Sequence, residues 1–301
     1  MPFGYVSPEQ AMRDKADYAR RGIARGRSCV TLQYADGILM VTPNASSVLH
    51  KLSEIYDRIA FAAVGRYPEY EVLRKAGVTY ADLTGYRYDR SDVTVRSIAN
   101  YYAQNLDQIF TQSLKPYEVE LVVAEVGTRP DDDQIYRITY DGSVSDEPGF
   151  VAFGGQADQV ATVLKERFSD GMSLVEALGA ALAALAAPSS AGSASSGASA
   201  SNAGTNGTTE LTADQLEVAI LDRARAHRAF RRLHGARLEE LLAESRGASD
   251  SGSSESSDGD GDGGSGSGDS AGSGGSSGSG DSGDGEPPIG PPAPGSDGTP
   301  K

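Results

Sequence analysis

The chain has 301 residues, a formal net charge of −15 and a single cysteine, Cys29, which excludes an intramolecular disulfide and a cysteine-rich metal site. An acid excess of this size excludes general attraction to nucleic acid or anionic lipid, and no stretch approaches the roughly 20 consecutive apolar residues of a membrane span. Ten acidic residues and one lysine lie between Gly247 and Lys301, so this Gly/Ser/Asp-rich segment holds −9 of the charge and residues 1–246 the other −6.

Residues 1–22 hold no apolar core of signal-peptide length, and a cytoplasmic protein is expected. Ser7, Pro8 and Gln10 then form a helix start signal. The hydroxyl can cap, the proline sits where its missing N–H costs nothing, and the glutamine completes a capping box. A helix is predicted through Ala11, Tyr18 and Ile23 to about Gly26, charged on most faces and so packed on something shallow. SCVTLQY, the turn Ala35-Asp36-Gly37 and ILMVTP read as a β-hairpin. IAFAAVG, ending at Gly65, reads as a third strand buried on both faces.

Two helices come next. One runs from Pro68 to Ala76 with an extension towards Leu83, the other from Ser91 or Asp92 to Leu114. In the second, Val95, Ile98, Tyr102, Ile109 and Phe110 fall close to one stripe. VELVVAEVG and QIYRITYDG form another hairpin around Asp131–Asp133, with Asp141-Gly142 as a further turn, and Phe150–Phe153 is a short strand. Helices over Gln156–Phe168 and Ser173–Ala187 follow. Residues 188–212, rich in Ser, Ala and Gly, read as a flexible insertion inside the domain. QLEVAILD and HRAFRRL close the strands, Ala236–Glu244 is the last helix, and 247–301 is predicted to be disordered, either an interaction element or a solubilising appendage. Hairpins with helices grouped between them give the α+β class, as antiparallel sheets covered by helices in a four-layer α/β/β/α sandwich.

Ser28 and Cys29 open the first core strand. An N-terminal-nucleophile hydrolase would begin there, with its free α-amine as base, after losing residues 1–27 or 1–28. That loss would discard a well-capped helix, so strand packing is the expected role and a self-processing hydrolase using Ser28 or Cys29 the alternative. His50, His227 and His234 form no HExxH and no i, i+4 pair, so they read as surface histidines. Asp131–Asp133 lack EF-hand spacing and read as a solvated loop. Gly154-Gly155 lacks a phosphate-binding pattern and reads as a tight strand-to-helix turn. Lys51, just before the third strand, reads on its own as a solvated charge.

SPEQAMRDKADYARRGIARGRS resembles the amino-terminal helix of actinobacterial proteasome α subunits. KLSEIYDRIAFAAVGRYPEYEVLR, GYRYDRSDVTVRSIANYYAQ, KPYEVELVVAEVG, IYRITYDGSVSDEP, LEVAILD and RAFRRLHGARLEELL continue the resemblance in order, over roughly residues 5–245. It implies the N-terminal-nucleophile hydrolase fold, which is the sandwich above. It implies a non-catalytic subunit of the proteasome core that forms a seven-membered outer ring on rings of β subunits, which carry the threonine nucleophile. No cofactor or metal is implied. Protein substrates, including those tagged by a prokaryotic ubiquitin-like protein, would be threaded through the ring.

The same resemblance places Ser28-Cys29 where a β subunit begins with threonine, Pro43-Asn44 near its catalytic acid, and Lys51 at its catalytic lysine. In α subunits that lysine faces a pocket between neighbours and pairs with the C-terminal carboxylate of a ring-shaped AAA ATPase or other activator, a charge-assisted bond. Lys51, Gly65 and Arg66 are therefore expected to bind the activator. Residues 1–7 correspond to a gate. Phe3, Tyr5 and Val6 would pack across seven copies, with Ser7, Pro8 and Tyr18 behind them; the Tyr-Asp pair that other α subunits use to hold the open state is unmatched. Lys115, Pro116 and Tyr117 resemble the loop that narrows the channel, with Glu118 replacing the usual glycine. The expected division is gate 1–7, domain 8–246 and tail 247–301.

Overall fold

The computed structural model describes residues 7–191 and 211–251. Its first helix, α1 (Pro8–Ala24), starts as predicted at Ser7, whose Oγ accepts from the Gln10 amide at 3.2 Å. The reciprocal half of the capping box is not made. Gln10 Nε2 donates instead to Asp14 Oδ1, one turn on, at 2.8 Å, because a charged acceptor outcompetes returning to the cap.

Strands β1 (Cys29–Tyr34) and β2 (Gly37–Pro43) form the expected hairpin. The buried strand at Ile59–Gly65 is the fourth, not the third, since Leu52–Tyr56 precedes it as β3 and makes it β4. The β3–β4 turn, Asp57-Arg58, contains no glycine, and a register shift between Glu54 and Tyr56 breaks the two-residue period. Arg58 fastens that turn by donating to the carbonyls of Val126, Gly127 and Arg225.

The next helix, α2, is one continuous rod over Tyr67–Arg87. It passes through Gly77, which leaves room for the ring and hydroxyl of Tyr102. Helix α3 covers Val95–Gln112 and starts three to four residues later than expected. Ser91 and Asp92 lie in a 3₁₀ turn capped by Asp89, and Thr94, which accepts from Ser97 N, caps the helix itself. Val95, Ile98, Tyr102 and Leu106 form its buried stripe, whereas Phe110 turns aside to pack under α1 with Ala19, Ile23 and Tyr140.

β5 (Val119–Glu125), β6 (Gln134–Ile138), β7 (Val144–Asp146) and β8 (Phe150–Phe153) follow, then α4 (Ala157–Arg167) and α5 (Leu174–Ala191). Helix α5 thus continues past the expected end at Ala187. Strands β9 (Leu216–Asp222) and β10 (Phe230–Leu233) close the sheets. The last helix, α6 (Ala236–Ser251), runs beyond Glu244 and beyond the expected tail boundary at Gly247. The bulk of the 188–212 insertion and of the tail lies outside the described residues, as do Phe3, Tyr5 and Val6 of the gate.

The strands form two antiparallel sheets, ordered β10-β9-β2-β1-β8 and β3-β4-β5-β6-β7. Alternate residues of a strand face opposite ways, so each sheet feeds two cores. Val30, Leu32, Leu39, Val41, Val218 and Ile220 pack under α4, α5 and α6. Ile59, Phe61, Leu121 and Val123 pack under α2 and α3. Between the sheets, Ile38, Met40, Ala219 and Phe153 meet Ala60, Ala62, Val64 and Val122. Three cores between four layers make the predicted α/β/β/α sandwich. Helix α1 lies at one end of it, against β4 and β5.

Candidate functional site

Two groups of polar residues gather at the end of the sandwich where β2 ends and β3 begins. The first surrounds Lys51, in the β2–β3 connection. Its half-buried ammonium donates to the Pro43 carbonyl at 3.1 Å and to Thr42 Oγ1 at 3.4 Å, using two of its three N–H groups. Burial pulls the Lys51 ammonium below the usual lysine range, and the nearby Glu217 carboxylate opposes that shift. Sequence alone gave Lys51 as a solvated charge; the structure instead folds it inward against strand ends.

Glu217, which the sequence did not single out, organises this group. Its residue is only 8% exposed. Oε2 accepts from Lys51 N at 2.9 Å and from Asn44 Nδ2 at 2.8 Å; Oε1 accepts from Leu52 N at 3.2 Å and lies 3.3 Å from His50 Nδ1. Asn44 also donates to the Leu49 carbonyl. One buried carboxylate therefore sets the backbone that carries Lys51, which brings Pro43-Asn44 and Lys51 together. The available signal was an acid near the start of the otherwise apolar run in LEVAILD, whose other acid, Asp222, closes the strand.

Ser28 and Cys29 lie next to this group but are engaged in packing. Ser28 Oγ accepts from Gln156 N at 3.0 Å, and its carbonyl accepts from Thr42 Oγ1 at 3.2 Å. Cys29 is fully buried, and burial pushes its thiol up to about 12. Of the other two histidines, His227 lies 3.5 Å from Asp57, whereas His234, exposed, lines the same cavity as His50, Asn44 and Glu217. Among the described residues no group of three or more His, Cys, Asp or Glu could hold a metal ion. The Asp131–Asp133 loop is less solvated than expected: Asp133 is buried in a two-pronged pair with Arg223 and accepts from Gly127 N. Gly154-Gly155 is the tight turn expected, with Gly154 at φ 96° and its N–H on Glu120.

The second group joins residues expected at three different sites. Gly65, at φ 117°, ends β4, and a side chain there would overlap the Glu118 carbonyl. That same carbonyl accepts from Arg66 N at 2.9 Å. Glu69, on the first turn of α2 and 9% exposed, faces them. Its Oε1 accepts from Lys115 Nζ at 2.6 Å and from Arg66 Nη1 at 3.4 Å, and its Oε2 from Glu118 N at 2.7 Å. Lys115 also pairs with Glu118 at 2.9 Å and sits 5.7 Å over the Tyr18 ring of α1. Burial alone would raise the Glu118 carboxyl, but hydrogen bonds from Lys115 and Tyr18 hold it below the usual range. Glu118 packs on Gly22 of α1, where any side chain would collide with it.

Of the expected channel loop, Pro116 is buried and Tyr117 packs on the core under α2 and α3. Leu114, missed from sequence, is its fully exposed tip. Ser7 and Pro8 lie at the start of α1, away from this network.

Comparison with known proteins agrees with this arrangement. The family model described as proteasome subunit matches residues 23–199. A proteasome subunit alpha of Streptosporangium roseum is 61% identical over 249 residues, covering 83% of this chain and 89% of the relative. Proteins of the same name from Thermomonospora curvata (61% over 244 residues, 81% of this chain, 98% of the relative) and Kineococcus radiotolerans (63% over 242 residues, 80% and 98%) match as well. With so much of each relative covered, and the two-sheet sandwich in place, the chain belongs to the proteasome subunit family, among its α subunits.

Proposed function

We propose that this chain forms the outer seven-membered ring of a proteasome core, takes no catalytic part itself, and stacks on β subunits that do the cleaving. The observation that carries the non-catalytic reading is α1. It is folded into the domain ahead of Ser28-Cys29, with Ala19 and Ile23 buried and Lys15 Nζ donating to the Phe110 carbonyl at 3.1 Å. A hydrolase of this fold would need that segment removed to free an α-amine. Residues 1–7 act as the gate, with Pro8 and Tyr18 behind it, and Lys115–Tyr117 narrow the channel for unfolded protein substrates, ubiquitin-like-tagged ones among them. Among the described residues no helix is long and apolar enough to cross a membrane, in keeping with work in the cytoplasm.

The test is native mass spectrometry of this chain co-expressed with the β subunit of the same organism. The expected result is a stacked complex with equal numbers of both chains, this one untrimmed. A lone monomer, or a chain cut before Ser28 or Cys29, overturns the reading in favour of the self-processing hydrolase.

Lys51, with Gly65 and Arg66 at the end of the strand that its backbone pairs, docks the C-terminal carboxylate of a ring-shaped ATPase or other activator. The remaining N–H of a partly desolvated ammonium supports this, because a carboxylate placed there restores the charge partner that burial removed. Lys51→Ala is expected to weaken activator-stimulated protein degradation by tenfold or more, as a charge-assisted bond of about 1.5–3 kcal/mol implies. Stimulation equal to that of the wild type overturns the docking role.

A further inference from the structure

Lys51 and α1 lie on different elements, yet a continuous set of short contacts joins them. The Lys51 carbonyl accepts from Ala63 N at 3.1 Å. Two residues on, β4 ends at Gly65, and Arg66 is held to the Glu118 carbonyl. Glu69 then takes the Lys115 ammonium, the Glu118 amide and the Arg66 guanidinium on one carboxylate, and Lys115 and Glu118 reach Tyr18 and Gly22 of α1.

We infer that Glu69 is a positioning residue that fixes the turn after β4, the loop before β5 and helix α1 as one unit, so that a carboxylate docked at Lys51 displaces α1, the helix behind the proposed gate, rather than the turn alone. The inference rests on the docking role proposed for Lys51. Geometry favours Glu69 as the joint over its neighbours. It is the most buried of the ionised groups in the cluster, and it accepts from two different segments, α2's own cap and the loop 49 residues away. Lys115 and Glu118 pair within three residues of each other and carry the link on to α1. Replacing Glu69 with Gln keeps the shape but leaves one carbonyl oxygen for three donors.

The experiment uses the full chain assembled with its β subunit, a fluorogenic peptide as substrate, and as probe a synthetic peptide matching the C-terminus of the same organism's proteasomal ring ATPase. Half-saturating probe concentration and maximal stimulation are read separately for wild type, Glu69→Gln and Lys51→Ala. Glu69→Gln is expected to lower maximal stimulation at least about threefold while half-saturation moves less than about twofold, with Glu69→Asp restoring part of the maximum; Lys51→Ala is expected to shift half-saturation by about tenfold or more. Full stimulation in Glu69→Gln, or a loss carried wholly by half-saturation, overturns the inference while leaving docking at Lys51 intact. A Lys51→Ala complex that responds like wild type overturns the docking role and, with it, the coupling. Should Glu69→Gln fail to assemble, Lys115→Met breaks the same joint from its more exposed side and is judged by the same split.

Discussion

At the scale of single residues, position is decided by close approaches that composition does not advertise. Gly77 is in mid-helix, where glycine is normally unfavourable, because the buried hydroxyl of Tyr102 occupies the space of its missing side chain. Gly77→Ala is therefore expected to destabilise the domain by about 1–3 kcal/mol despite the better helix propensity, by overpacking the core under α2 and α3. Denaturant unfolding of the assembled or isolated chain checks this, and a gain in stability would contradict the packing. Glu69 and Glu217 follow the same pattern. Each is an acid with partners far along the chain, Lys115 and Glu118 for one (beside its near neighbour Arg66) and Lys51 and Leu52 for the other. Local spacing holds no trace of such pairs, which is why neither stood out in the sequence. Lys51 stood out only through family resemblance.

At the scale of elements, legibility tracked the strength of local signals. The β1–β2 and β5–β6 hairpins, α4 and the closing strands were readable from alternation, turn residues and helical period. Four elements were not. β3 is short, is joined through Asp57-Arg58 without glycine, and carries a register shift; β7 has only three exposed residues after the Asp141-Gly142 turn; α2 was expected to end at Ala76 or near Leu83, short of Arg87; α3 offered Ser91 and Asp92 as rival caps to Thr94. The β3–β4 turn is held to the α2–α3 connection by the Asp57–Arg90 pair, with bonds at 2.7 and 3.1 Å. The Arg90 hydrogen bond holds the Asp57 carboxyl below its usual range, against partial desolvation and with help from His227. A depressed folded-state pKa gives stability that is present above the unfolded value near 4 and lost as pH falls through the folded one. The stability gap between wild type and Asp57→Asn should thus be widest near neutral pH and close on acidification below about pH 4. Thermal unfolding across that range measures it, and a gap independent of pH would show the pair to be idle.

For the whole molecule, the fold class followed from element order alone, since hairpins alternating with helix pairs have few other compact solutions. What pattern could not supply was the pairing order across the sheets, in which β9 returns from the far end of the sequence to lie beside β2. That crossover sets Glu217 under Lys51 and so builds the first polar group. The rims of the two sheets carry a further consequence. The outermost strands are β10, β8, β3 and β7, of four, four, five and three residues. β7 ends in Asp146 with Pro148 just beyond, and β10 carries Arg231 and Arg232. Rims this short, with charges on β10, β3 and β7, are poor templates for adding another chain by backbone pairing. A head-to-tail contact between side-chain surfaces closes into a ring only when its rotation divides a full turn, so the proposed seven-membered ring depends on the angles at which helices and loops pack rather than on strand pairing.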